Sequence, residues 1–466
     1  MTAGRLHAAD ALLPSGWARD VLIEWDAAGC IVGVRPHSGW GQTSGAPRAP
    51  GPVLPGMPNL HSHAFQRAFA GLAEHRTAHD DSFWSWRDRM YRVANTITPE
   101  TLEAVATHLF VEMLEAGYTS VCEFHYLHHD LDGRPYADPA MLATVIATAA
   151  SRAGIGLTLL PVLYQQGGFG GVPPGDGQRR FITSTDALLD LVRVMRPRVG
   201  AGNRVGLALH SLRAVSPTAL TAALEGMRGI DPDAPIHLHV AEQTREVDDC
   251  LAWSGQRPIE WLLDHAPLDR RFCLVHATHL TADETRRAAA TGAVAGLCPT
   301  TEANLGDGVF AFSSWVDGGG RWGVGSDSHI TVDAADELRM LEYSQRLLTH
   351  RRNVGASASE PHVATALTLG AVAGGAAASG RPVGGLVVGQ RADFVVLAAG
   401  HPAMAGLSAP DALAVSIFAS GRRPIIDRVV VAGRTVVEGG RHPLRASSAE
   451  AFVRARMHLL AAGAGA

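Results

Sequence analysis

Gly56-Met57-Pro58-Asn59-Leu60-His61-Ser62-His63 sets two histidines one residue apart after an apolar run. On a β-strand, positions i and i+2 share a face, so both imidazoles can reach a common point. At the carboxyl end of a strand, such a pair could hold one divalent ion; taken alone, it would suit an exposed surface equally well. The residues downstream decide between these readings.

From Pro52 the sequence repeats strand, loop and helix, the pattern of a parallel α/β architecture. Eight candidate strands end near His61, His125, Tyr164, His210, Ala241, His276, Pro299 and Asp327, with helices between them such as Pro99 to Ala116 and Ser216 to Arg228. Eight alternations predict a (β/α)₈ TIM barrel, whose chemistry sits at the carboxyl ends of its strands. Val21 to Trp25 and Cys30 to Val34 read as a hairpin, followed by a Gly/Pro/Ser-rich linker. Short strands return after Gly385, at Leu386 to Val388, Asp393 to Leu397 and Arg428 to Gly433. The expected division is therefore 1–52 and 376–466 as the two parts of a small β-sandwich domain built from both chain ends, flanking a barrel over 53–375. A last helix is expected from Ser448 to Leu460.

The 466 residues are 46% apolar, enough for a large interior and a second, smaller unit. A net charge of −5 without a basic cluster argues against nucleic acid as a partner. Five scattered cysteines form no CxxC pair, the N-terminus lacks the pattern of a signal peptide, and the Ala/Gly run from Ala364 to Gly380 is too short and glycine-rich to span a bilayer. Together they predict a cytoplasmic protein with no membrane partner. The chain contains no lysine, which excludes a Schiff base or a carbamylated lysine bridging two metals.

His239 falls near the end of the fifth strand and Asp327 at the end of the eighth. With His61 and His63 they give three imidazoles and a carboxylate, a donor set for one divalent metal ion, most simply Zn²⁺, with a position left open. Each residue singly could be a backbone-bonded core histidine or a helix-capping aspartate. Four at the mouths of three strands form a constellation. Glu242, three residues beyond His239, and His276, at the end of the sixth strand, are within reach of a water at such an ion. Zinc lowers the pKa of its water to about 7, and Asp327 and His276 can then take the proton while Glu242 passes it to a departing nitrogen. The reaction class is attack on a C=N or C=O carbon with loss of an amine. Arg87 and Arg213 can each grip a carboxylate in a bidentate manner, which favours a small dicarboxylate substrate; Trp84 and Trp86 leave a neutral aminated ring open.

His61-Ser62-His63, His239 with Glu242, His276, and Ser326-Asp327-Ser328-His329 resemble the amidohydrolase superfamily in its mononuclear, deaminase-like branch, over nearly the whole chain. Within it, His61 to Arg67, Phe83-Trp84-Ser85-Trp86-Arg87, Glu123-Phe124-His125-Tyr126 and His210 to Ser216 look most like the formimidoylglutamate deiminase family. That resemblance implies hydrolysis of N-formimidoyl-L-glutamate to N-formyl-L-glutamate and ammonia in histidine degradation, substrate contacts from Gln66, Arg87, Tyr126, His210 and Arg213, and a homodimer. The competing expectations are a guanine- or cytosine-type deaminase of the same superfamily and a non-catalytic scaffold on the same fold. The glycine-rich segment Gly167 to Gly177 is a candidate closing loop.

Overall fold

The computed structural model describes residues 3–39, 45–75, 83–420 and 425–463. Part of the expected linker, residues 40–44, lies outside them, as do residues 464–466. In chain order the strands are β1 (Gly4–Leu13), β2 (Gly16–Trp25), β3 (Ile31–Arg35) and β4 (Val53–Pro55), then β5 (Met57–Ser62), β6 (Tyr118–His125), β7 (Gly156–Leu163), β8 (Arg204–Val205), β9 (Leu207–Leu209), β10 (Ile236–Val240), β11 (Phe272–His276), β12 (Val294–Leu297) and β13 (Arg321–Val324), and finally β14 (Phe394–Leu397), β15 (Ile426–Val431) and β16 (Arg434–Glu438).

Strands β5 to β13 run parallel around a nearly closed barrel in the order β5-β6-β7-β9-β10-β11-β12-β13. β8 and β9 both pair with β7 and share the fourth place, divided at Gly206. β5, β6, β7, β10, β11 and β12 are buried at every position, which is why they read as continuous apolar runs rather than alternating ones. The helices between them begin where the sequence supplies caps. Ser216 Oγ accepts from Ala219 N ahead of the helix Pro217–Ile230, and Thr98 forms a capping box with Thr101 ahead of Pro99–Glu115.

The seam between β13 and β5 is joined by polar groups. Asp327 N donates to His61 O at 3.0 Å and His63 N donates to Asp327 O at 3.2 Å. Below this pair the Asn59 side chain donates to Ser326 Oγ at 2.7 Å and accepts from Ser326 N at 3.1 Å. Backbones approach so closely here that a Cβ on Gly325 would lie 2.7 Å from His61 N.

The Ala/Gly run forms the helix Val363–Ser379, which packs against the barrel, and a Cβ on Gly375 would come 2.8 Å from Cβ of Pro58. Its small residues permit that approach. No helix among the described residues is long and apolar enough to cross a membrane.

Both chain ends meet in one seven-stranded sheet of order β16-β15-β14-β4-β1-β2-β3. The sheet curls, so that the turn before β3 reaches the segment before β14. Ile31 N donates to Gln390 O at 2.7 Å, Gly389 N to Ile31 O at 2.9 Å, and Ala392 N to Gly29 O at 2.9 Å. Inside the curl lies a separate core of Leu6, Val21, Ile23, Ile31, Phe394 and Val396, the enclosed interior that a sandwich would provide. The last helix, Arg445–Gly463, is a little longer at both ends than the sequence suggested. It docks on Pro99–Glu115 through Phe452, whose ring stacks on His108.

Replacing Asn59 by Ala would leave the Ser326 amide without its acceptor in a buried seam, while the Ser326 hydroxyl keeps His329 within hydrogen-bonding distance. Asn59→Ala should lower stability by about 1–3 kcal/mol, the cost of one stranded buried polar group. A thermal melt of the variant equal to wild type would refute a seam held by this residue.

Candidate metal centre and substrate pocket

The ends of β5, β10 and β13 bring His61, His63, His239 and Asp327 together, with one ligand atom of each within 4.8 Å of all the others. His61 Nε2 lies 3.1 Å from His63 Nε2, 3.0 Å from His239 Nε2 and 3.4 Å from Asp327 Oδ1; His63 Nε2 lies 3.3 Å from Asp327 Oδ1. In a tetrahedral site with metal–nitrogen bonds of about 2.0–2.1 Å, neighbouring donors stand about 3.3 Å apart. The observed spacings match. The other ring nitrogens set the tautomers: His63 Nδ1 donates to Phe124 O at 3.1 Å and His239 Nδ1 to His210 O at 2.9 Å. Each thereby turns a bare Nε2 lone pair inward, the arrangement typical of metal-ligating histidines. Burial lowers the pKa of His61, His63 and His239, which keeps the rings neutral and available as donors.

Asp327 is held at φ +44°, Ala241 at +51° and His276 at +67°, left-handed values at the mouths of three strands. Strain concentrated there is characteristic of functional sites. Glu123 braces the histidine pair from β6, accepting from Ser62 Oγ at 2.5 Å and from Ala64 N at 2.7 Å. His329 lies within hydrogen-bonding distance of Ser62 Oγ at 3.3 Å and Ser326 Oγ at 3.0 Å.

Glu242 and His276 face the centre together. His276 Nε2 is 3.8 Å from Glu242 Oε1 and 3.8 Å from Asp327 Oδ2, while its Nδ1 donates to Glu302 Oε1 at 3.2 Å. Burial alone would lower the His276 pKa; Glu242, the hydrogen bond to Glu302, and Asp327 outweigh it and carry it up to about 10. Burial raises Glu242 to about 7 against the pull of His276 and Arg213. The pair thus combines a cationic imidazole with a carboxyl that titrates near neutrality, suited to moving protons at physiological pH.

A pocket of about 550 Å³, mouth included, opens above this centre. All five residues expected to touch substrate line it: Gln66, Arg87, Tyr126, His210 and Arg213. Gln66 Nε2 donates to Tyr126 OH at 2.9 Å, and its buried Oε1 has no hydrogen-bond partner among the described residues. Arg87 Cζ lies 4.5 Å from the Trp84 ring centre and 5.4 Å from that of Tyr91. The Arg213 side chain is 12% exposed, 3.9 Å from Glu242 Oε2. Burial opposes its charge, but Glu246 and Glu242 overcome this and raise its pKa. In both arginines Nε is buried without a hydrogen-bond partner among the described residues, so donors remain for a ligand. Trp86 also borders the pocket.

Sequence reading missed Glu302, Tyr91, Tyr164 and Phe181. Glu302 lies five residues past the end of β12, on a helix starting at Pro299, where an acid reads as a helix-terminus carboxylate; only its distance to His276 reveals it. The three aromatic residues come from segments whose spacing carries no signal for a shared wall. The loop from Gly167 to Gly177 is tied back on itself, with Gly167 N donating to Val172 O at 2.7 Å and Phe169 stacked on Trp253.

Residues 53–436 match the amidohydrolase family. The chain belongs to this family. Residues 4–41 match a second family, described as the N-terminal domain of the formimidoylglutamate deiminase HutF. Among relatives, a formimidoylglutamate deiminase from Pseudomonas aeruginosa is 52% identical over 98% of this chain and 99% of its own length. An 8-oxoguanine deaminase from the same organism is 29% identical over 88% of each chain. The crystal structure of an amidohydrolase from Brucella melitensis superposes with a TM-score of 0.92 at 49% identity, covering 98% of this chain and 100% of that one. These likenesses run the length of the amidohydrolase barrel and its companion sheet.

Metal removal gives a direct check. Protein stripped with a chelator should melt at a lower temperature and regain its midpoint with added Zn²⁺, because a ligand held only by the folded state stabilises it by mass action. His239→Ala should lose that response. Wild-type protein indifferent to both treatments would mean that these donors hold no ion.

Proposed function

We propose that this amidohydrolase is a metal-dependent deiminase that hydrolyses N-formimidoyl-L-glutamate to N-formyl-L-glutamate and ammonia, a step of histidine degradation. The observation that carries the reading is the 52% identity with a formimidoylglutamate deiminase across almost the full length of both chains. The pocket supports it. Arg87 and Arg213 offer two planar cations for a substrate with two carboxylates, which a neutral purine or pyrimidine ring would not engage.

A divalent ion bound by His61, His63, His239 and Asp327 supplies the Lewis acidity that makes deprotonation of water favourable near neutral pH. Asp327 receives the proton of the attacking water, and the protonated His276 beside it holds that water by a hydrogen bond. The water oxygen bonds to the formimidoyl carbon as the π bond to its terminal nitrogen opens and Glu242 protonates that nitrogen. The hydroxyl proton then leaves as the C=O forms and the remaining bond to the nitrogen breaks, and a second proton is delivered through Glu242, so that both water protons depart with ammonia. Gln66, Tyr126 and His210 orient the substrate, while Arg87 and Arg213 bind its carboxylates.

The ion is proposed to be Zn²⁺, on the tetrahedral spacing of three imidazoles and one carboxylate. We place the enzyme in the cytoplasm as a homodimer, without nucleic-acid or membrane partners. The net charge of −5 and five free cysteines support this, as does the helix Ala334–Thr349, which leaves Met340, Tyr343, Leu347 and Leu348 exposed for a second copy to cover.

Ammonia release from N-formimidoyl-L-glutamate, set beside guanine and cytosine, tests the assignment; turnover of a ring and not of the glutamate derivative would overturn it. Arg213→Ala should lower kcat/KM for the glutamate derivative by about 10- to 150-fold, the value of a charge-assisted hydrogen bond. Asp327→Asn should abolish turnover of every substrate. Wild-type rates in that variant would remove the aspartate from the reaction.

A further inference from the structure

The pocket lies between the helix Phe83–Ala94, which carries Arg87, Met90 and Tyr91, and the barrel rim, which carries Tyr164 and His210. Gln178, buried behind the lining, joins the two sides. Its Nε2 donates to Tyr164 OH at 2.6 Å and to Tyr91 OH at 3.2 Å, and its Oε1 accepts from Gly175 N at 2.8 Å, which fixes the orientation of the amide. Beyond each tyrosine stands a proposed substrate contact. The Tyr91 ring centre is 5.4 Å from Arg87 Cζ, and the Tyr164 and His210 rings are 4.4 Å apart. The neighbours of Gln178 grip the same helix. Gly177 O accepts from Asn95 Nδ2 at 2.8 Å, and the fully buried Arg180 donates through Nη1 to Ala94 O and, at 2.8 Å, to Ile97 O, carbonyls at the helix's C-terminal end where a cation is favoured.

We propose that Gln178 is a positioning residue whose bridge between Tyr91 and Tyr164 sets the spacing of Arg87 from His210, and with it the length of dicarboxylate the pocket accepts. The inference rests on the function proposed above. Gln178 does not line the pocket, so it acts through the two tyrosines. With an apolar side chain in its place, two buried hydroxyls lose their common donor and the wall helix is free to shift against the rim. A displacement near 1 Å in a substrate-positioning wall costs up to about 100-fold in kcat/KM.

The experiment compares N-formimidoyl-L-glutamate with N-formimidoyl-L-aspartate, one methylene shorter, on wild type, Gln178→Leu and Gly177→Ala. In the last variant the new methyl would come 2.8 Å from Tyr91 Cδ2 and push the same ring with the glutamine in place. Gln178→Leu should raise KM for the glutamate derivative about tenfold with kcat within about threefold, and should narrow the preference for glutamate over aspartate by a similar factor. Gly177→Ala should narrow it in the same direction, and carries the test if the leucine variant does not fold. An unchanged preference in a wild type that turns over the glutamate derivative would overturn the inference, as would a fall in kcat for both substrates at constant KM, the mark of lost folded enzyme. A wild type inert toward N-formimidoyl-L-glutamate would instead overturn the functional reading beneath it.

Discussion

Three imidazole nitrogens converging on one spot, with His61 Nε2 3.1 Å from His63 Nε2 and 3.0 Å from His239 Nε2, are the arrangement on which the rest depends. Lone pairs so placed repel, and burial removes the water that would separate them. The cluster stays together because its members belong to rigid strands. It is also where the cylinder closes: the backbone of Asp327 bonds to His61 and His63, so the groups that would grip an ion are the groups that join the first barrel strand to the last. Site and fold therefore share one set of hydrogen bonds. A cation at that point turns the repulsion into coordination and tightens the seam at once, which couples metal binding to folding.

Around this point the chain concentrates charge that it avoids elsewhere in the interior. Glu242, Glu302, Asp307 and Asp327 lie within one buried neighbourhood with His276 and Arg213 as the nearby cations. Burial and Glu242 push Asp307 up to about 9, so that carboxyl is protonated at neutral pH, and Gln243 donates to it. The field of the remaining carboxylates holds the His276 proton. Both arginines stand near aromatic rings, and each has a buried Nε without a hydrogen-bond partner among the described residues.

The barrel was legible because most of its strands are buried at every position and several connecting helices start at a capping Ser or Thr. The strand ends inferred from the sequence fall within about three residues of those observed, the usual error at element boundaries. The clustering of His61, His63, His239 and Asp327 was legible because they fall at the carboxyl ends of barrel strands, where side chains converge on the mouth. The curl of the companion sheet was not, because it depends on pairing between residues near 30 and near 390, which no local pattern encodes. Nor was Glu302. An acid in the first turn of a helix has a sufficient local explanation in the helix dipole, and its hydrogen bond to His276, 26 residues earlier, arises only when β11 and β12 are laid side by side.

The helix Phe83–Ala94 shows the limit most clearly. It hangs between β5 and the helix Pro99–Glu115 and belongs to no repeat of the barrel, so periodicity alone could identify it as a helix but not say what it faces. Its placement comes from outside itself. Arg180 binds its last carbonyl, Ala94 O, and Ile97 O just beyond it, Gln178 holds Tyr91, and Trp86 packs on Phe83 and on Phe69 of the short helical turn Ala64–Phe69 that also carries Gln66. A family that keeps the barrel and its ion can therefore change what it accepts by altering this one inserted element, because nothing in the closure of the cylinder depends on it. The chemistry is bound to the fold through Asp327 and the seam, whereas the choice of substrate is bound to it only through side chains such as Gln178 and Arg180.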